Sequence, residues 1–174
     1  TANLAGCINT DQVNVTVTPL PTIDAGFDQA VCDGASVILT ATNPDGAVIT
    51  WDNGILDGTA FTPGAGTTTY TATADLAGCI NTDQVSVTIN PLPVFTLSST
   101  NPTQCGATDG TITISGLSAG TNYTVSYNGG AASLFTSDGA GNIVLTGFSA
   151  GGYIGFQVTL NGCSTTDGAT ITLT

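Results

Sequence analysis

Residues 3–13 of this chain read NLAGCINTDQV, and residues 75–85 read DLAGCINTDQV. The stretches that follow, VNVTVTPLP at 13–21 and VSVTINPLP at 85–93, keep the same offset of 72 residues (75 − 3). A third, diverged copy closes the chain: NGCSTTDGATITLT at 161–174 follows the pattern of AGCINTDQVSVTIN at 77–90. Near-identity at a fixed period marks a tandem architecture, in which one small unit recurs along the chain. Each copy ends in, or at the place of, a Pro-Leu-Pro segment. Proline fixes φ and restricts the residue before it, so Pro19-Leu20-Pro21 and Pro91-Leu92-Pro93 read as short, stiff, extended joints. The joints predict three parts. Residues 1–18 are the last two strands of a preceding repeat, 19–92 a first complete domain, and 93–174 a second. With no initiating Met and no signal segment, the sequence reads as a mature or internal piece of something longer.

Within the units the hydrophobic period is two. Val13, Val15 and Val17 alternate with Asn14 and Thr16, and Val85, Val87 and Ile89 with Ser86 and Thr88. Similar strands are expected at 36–41, 47–52, 67–74, 110–115, 121–127, 142–148, 153–160 and 169–173. Thr occurs 33 times, which suits a pleated, half-buried surface. Six of the twelve Asp precede Gly (Asp33, Asp45, Asp57, Asp109, Asp138, Asp167), and Asn-Gly occurs at 53, 128 and 161. Such pairs supply the positive φ of tight turns. No apolar stripe of helical period exists, so the expected fold is all-β, two small antiparallel β-sandwiches in tandem.

The charge balance excludes most chemistry. The chain has twelve acidic residues, all Asp, and no Lys, Arg or His, for a net charge of −12. Nothing can neutralise phosphates or an anionic membrane, so no nucleic-acid partner is expected. The imidazole base, the Schiff-base lysine and the arginine clamp are all missing, and the chain reads as no enzyme. Paired Asp could hydrolyse glycosides, but aromatic subsites frame no pair here. A hydrophobic fraction of 41% is ample for folding. No apolar run reaches the roughly 18 residues that span a bilayer, so no membrane insertion is expected.

Five cysteines in an acidic, Thr-rich chain point to an oxidising, extracellular setting. The rival zinc reading lacks a Cys-x-x-Cys pair and any His. Modules of this size bury too little apolar surface to be comfortable without a staple. Cys32 opens the second strand of the first domain and Cys79 lies in its final hairpin; Cys105 and Cys163 hold the equivalent places in the second. The expected bonds are therefore Cys32–Cys79 and Cys105–Cys163, with Cys7 unpaired because its partner belongs to the preceding unit.

Aspartate is the one ionisable group left for ligand chemistry. Asp24 and Asp28 follow a joint, and Asp75 and Asp83 flank the final hairpin of the same domain. Such oxygen-rich clusters can hold Ca²⁺, the single cofactor the composition admits. The alternative is that these four Asp cap turns and face solvent. Trp51 in ITWDNG is read as core rather than as a sugar platform. Tyr123, Val125 and Tyr127 share one face and Ile154, Phe156, Val158 and Leu160 another, both expected to be core.

AGCINTDQVSVTINPLP, IDAGFDQAVCDGASVILTAT, ITWDNG and TPGAGTTTYTATADLAGC resemble the tandem Ig-like (PKD-like) repeats of giant Bacteroidota surface proteins. QCGATDGTITISGLSAGTNYTVSYNGG is similar to related modules of the same proteins. The resemblance covers essentially the whole chain. It implies Ig-like sandwiches and a non-catalytic segment of an extracellular surface fibre, as in SprB-type gliding adhesins exported by type IX secretion. Neighbouring repeats are then the expected partners. The alternative is a polysaccharide-binding or spacer module of a secreted enzyme.

Overall fold

The computed structural model describes every residue from Thr1 to Thr174. The chain is all β: seventeen strands, one 3-10 turn at Asp52–Gly54 and no α-helix. Two compact units divide it, one of Thr1–Phe27, Ile38–Thr59 and Tyr70–Val85, the other of Asp28–Val37, Ala60–Thr69 and Ser86–Thr174.

In the first half, β1 (Ala2–Leu4) and β2 (Cys7–Asn9) form a short hairpin. Then come β3 (Gln29–Cys32), β4 (Val37–Ile38), β5 (Val48–Trp51), β6 (Ala60–Phe61), β7 (Gly66–Leu76) and β8 (Cys79–Asn90). A four-stranded sheet has the order β3-β8-β7-β5, and β4 pairs β6. The expected alternation is realised along β8, where Val85, Val87 and Ile89 are buried and the residues between them are half-buried. One departure from an antiparallel plan stands out. β3 runs parallel to the end of β8, pairing Gln29 with Val87 and Cys32 with Asn90.

Residues 10–20 overturn an expectation. NVTVT differs from its copy in β8 by conservative changes, yet it forms no strand, and Val13, Val15 and Val17 are 80–85% exposed. A strand is stable only against a neighbour that takes up its ladder hydrogen bonds. No strand of the chain pairs with this segment. Of the two strands expected in 1–18, both form as a short hairpin, and the second stops at Asn9 instead of running on through the alternating segment.

The second half comprises β9 (Thr96–Thr100), β10 (Gly110–Ser115), β11 (Asn122–Ser126), β12 (Ser133–Thr136) and β13 (Ile143–Phe148), followed by β14 (Gly151–Tyr153), β15 (Phe156–Leu160), β16 (Cys163–Asp167) and β17 (Ile171–Leu173). Sheets ordered β13-β10-β9 and β12-β11-β15-β16 enclose one core, with the pair β14-β17 beside them. Ile112 and Ile114 of β10, Ile143 and Leu145 of β13, Tyr123 and Val125 of β11, and Phe156 and Val158 of β15 supply it. This is a β-sandwich built from alternate residues of two facing sheets. Buried Ser137 fits because its hydroxyl donates to the Ser118 carbonyl and accepts from the Thr121 N–H, at 2.5 and 3.0 Å. Gly141 is demanded by close approach: its φ is +78°, its carbonyl accepts from Leu117 N–H, and a Cβ there would collide with the Leu117 carbonyl.

Candidate functional site

The bond that forms is Cys32–Cys163, with Cα atoms 5.5 Å apart and a sequence separation of 131. Cys7, Cys79 and Cys105 carry free thiols. Both expected bonds, Cys32–Cys79 and Cys105–Cys163, are thus corrected, and the length of β8 gives the reason. Cys79 opens this twelve-residue strand, whereas Cys32 pairs with Asn90 at its far end. At about 3.3 Å per residue the two ends lie roughly 36 Å apart, far beyond disulfide reach. Cys163 instead opens β16 directly after the hairpin tip Asn161-Gly162, both of positive φ, and meets β3 there.

The four Asp expected to hold Ca²⁺ are placed as turn and loop anchors. Asp24 accepts from the Gly26 N–H, Asp28 from Ser86, Asp75 from Gly78 and Asp83 from Ala25, each at 2.8 Å. Nowhere do three or more Asp or Cys side chains gather as a group that could hold a metal ion. Two Asp of the Asp-Gly pairs also accept hydrogen bonds from nearby residues. Asp138 accepts from the N–H groups of Ala140 and Asn142, both at 2.8 Å. Asp109 accepts from the Thr103 N–H at 3.0 Å and its hydroxyl at 2.7 Å.

These bonds favour the charged carboxylate. The Asn142 N–H, then that of Ala140, holds Asp138 below the ordinary carboxyl range; the Thr103 hydroxyl, then its N–H, does so for Asp109, and the Ala25 N–H, then Gln84's, for Asp83. A carboxyl depressed by folding adds stability that is complete above the unfolded pKa of about 4 and is lost as pH falls through the lower folded value. The melting temperature is therefore expected to be flat from pH 7 to 5 and to decline below about pH 4. Asp138→Asn should flatten that decline without shifting the neutral-pH plateau upward, as a melting series across pH will show.

Trp51, the sole Trp, is buried, and its indole N–H donates to Asp57 at 2.8 Å. The same carboxylate oxygen accepts from Ala41 N–H at 2.9 Å. Nothing in the sequence beyond the Asp-Gly dipeptide pointed to Asp57 as this double acceptor. Asp57→Ala leaves two donors unmatched and is expected to cost about 1–3 kcal/mol. Trp51 fluorescence in a urea titration reads the loss directly; a midpoint unchanged from wild type would refute it.

In the second core, Tyr127 stacks on Phe156 with centroids 5.3 Å apart, and Phe148 meets Tyr153 edge-on at 4.7 Å. Phe156 is core and Tyr127 packs half-buried against it, as expected, and Phe148 and Tyr153 join them. Ile154 is the exception, 52% exposed. A shallow cleft of about 400 Å³ lies beside it, lined by Asn128, Gly129, Gly152, Ile154, Gly155 and Thr170. It contains no charged group and no aromatic ring.

No family model matches the chain, and no curated protein does. Among solved structures, titin domains A168–A170 are similar at 14% identity and a TM-score of 0.38, covering 84% of this chain and 63% of that one. The four N-terminal Ig domains of Dscam1 isoform 6.9 are similar at 10% identity and a TM-score of 0.33, covering 88% and 45% respectively. The chain thus spans less than two thirds of either. The all-β class rests on its own strands and sandwich core.

Proposed function

We propose that this chain is a non-catalytic structural segment of a long extracellular adhesive fibre. In this reading 19–92 and 93–174 are successive sandwich modules, and 1–18 ends the module before them. The observation that carries it is the Cys32–Cys163 bond, which reaches in sequence across the Pro91-Leu92-Pro93 joint and fastens parts of two successive sequence repeats within one compact unit. A covalent link across a joint serves mechanical continuity and brings no reacting group together. Disulfides persist in oxidising, extracellular settings, and no helix is long and apolar enough to cross a membrane. The acidic turns leave each module with negative charge, which keeps neighbouring stretches of fibre apart. Attachment or gliding is the setting that the resemblance adds.

Pulling the molecule from its two termini tests the mechanical role. While the bond holds, 131 residues are shielded from extension. Reduction should therefore lengthen the fully unfolded contour by about 470 Å, at ~3.6 Å per residue. Equal contour lengths with and without reductant would sink this reading. Saturable binding to one glycan class on a glycan array would favour the polysaccharide-binding alternative instead.

A further inference from the structure

The three free thiols occupy places in the repeat that can be compared with the bonded pair. Cys7, Cys79 and Cys163 each follow a two-residue hairpin tip in which both residues have positive φ: Ala5-Gly6, Ala77-Gly78 and Asn161-Gly162. Each then opens the next strand. Cys163 is the tip cysteine of its repeat, and it bonds Cys32 of the repeat before it. Cys32 in turn lies beside Asn90, its register partner at the end of β8, whose carbonyl accepts from Asp33 N–H at 2.9 Å.

A second observation places Cys79 in the same setting. The 72-residue offset makes Thr18 the counterpart of Asn90 (18 + 72 = 90). The Cys79 Sγ stands 3.7 Å from the Thr18 carbonyl oxygen. The tip cysteine of one repeat thus sits against the residue that corresponds in sequence to the end of β8, which is where the preceding repeat's Cys32 counterpart would pair once that segment is completed as a strand. Cys105 offers the other half of the pattern. It lies in the turn closed by Ala107 N–H to the Gln104 carbonyl, as Cys32 opens the turn closed by Ala35 N–H to its own carbonyl. Cys105 is one residue further round that turn and is exposed.

We propose that Cys79 is half of an inter-repeat disulfide, made with the Cys32 counterpart of a repeat placed before it, and that Cys105 bonds the tip cysteine of a repeat placed after. This deepens the tandem-fibre reading and rests on it. The fibre is then a ladder in which each repeat is bonded to both neighbours and no repeat is bonded within itself. Formation is ordinary thiol–disulfide exchange: two thiols lose two protons and two electrons to a small-molecule disulfide, which is cleaved to two thiols.

The repeat supplies its own test. Residues 19–72 of a second copy, placed ahead of Thr1, turn residues 1–18 into the closing strands of a whole module in register. Likewise, residues 91–174 of a second copy placed after Thr174 add a following module. Each chain is refolded in a glutathione disulfide buffer and mapped by non-reducing peptide digestion. In the first, the added Cys32 should bond Cys79, leaving two of six cysteines free (Cys7 and Cys105). In the second, Cys105 should bond the added copy's Cys163. Either new bond supports the ladder. A bond between the added Cys32 and Cys7, or four free thiols beside an intact Cys32–Cys163 bond, overturns it for Cys79. Cys105 left free in the second chain overturns it there. Pulling the same chains separates the two readings: a contour still shortened by the Cys32–Cys163 bond, without any new bond, leaves the fibre standing and the ladder refuted.

Discussion

Reduction of Cys32–Cys163 should lower the melting temperature of this chain by on the order of 10 °C. The bond closes a loop of 131 residues. Chain entropy assigns a loop of that size roughly 4–5 kcal/mol, removed from the unfolded ensemble. For a chain of this length each kcal/mol shifts the melting point by about 2–4 °C. The loop contains more than one core, which directs where the effect falls. While one core stays folded the loop is partly closed by structure, so the entropy gain of reduction appears mainly in the transition that unfolds last. Calorimetry with and without reductant will show it. The Cys32→Ser, Cys163→Ser double variant should match the reduced protein, whereas Cys79→Ser should melt like wild type. A Cys79→Ser variant as unstable as the double variant would refute the pairing.

The disulfide also marks where sequence reading stopped. Alternation and Asp-Gly turns placed most of the strands, because both act over a few residues. Pairing partners are set by what lies at each end of a strand, and that needed topology. The parallel strand β3 is four residues of modest hydrophobicity, without alternation to announce it. Once it docks on the end of β8 it carries Cys32 away from Cys79 and toward the next repeat. The segment Val13–Val17 teaches the same lesson from the other side. Its pattern is that of β8, but a strand is a property of two segments, and only one of these finds its partner.

The acidic residues were half legible. Six Asp-Gly pairs announced turns; Asp138 closes one, whereas Asp109-Gly110 leads straight into β10 and Asp109 accepts from Thr103. The long-range roles did not show. Asp83 accepts from Ala25, 58 residues away, and Asp28 from Ser86, also 58 away. Carboxylates that read as a cation cluster in one dimension are distributed by the fold as acceptors for backbone N–H groups. In a chain without Lys or Arg, backbone N–H groups, hydroxyls, side-chain amides and the Trp51 indole are the donors they find.

Phe156→Ala is expected to be the most damaging single substitution in the second core, at about 3–5 kcal/mol. Phe156 is 0% exposed and its ring is stacked against Tyr127, so truncation removes transfer free energy and leaves a cavity in a close-packed site. Ile154 makes the control. Strict alternation puts it on the same face as Phe156, and by that pattern its truncation would cost almost as much. Gly155, with φ of +63°, separates β14 from β15 and breaks the alternation between the two residues. Ile154 is left half out of the core, and Ile154→Ala should cost under about 0.5–1 kcal/mol. Urea unfolding of both variants, followed by far-UV circular dichroism because Trp51 lies outside this core, decides the matter. Equal destabilisation would mean that the strand continues through Gly155 and that Ile154 packs inward.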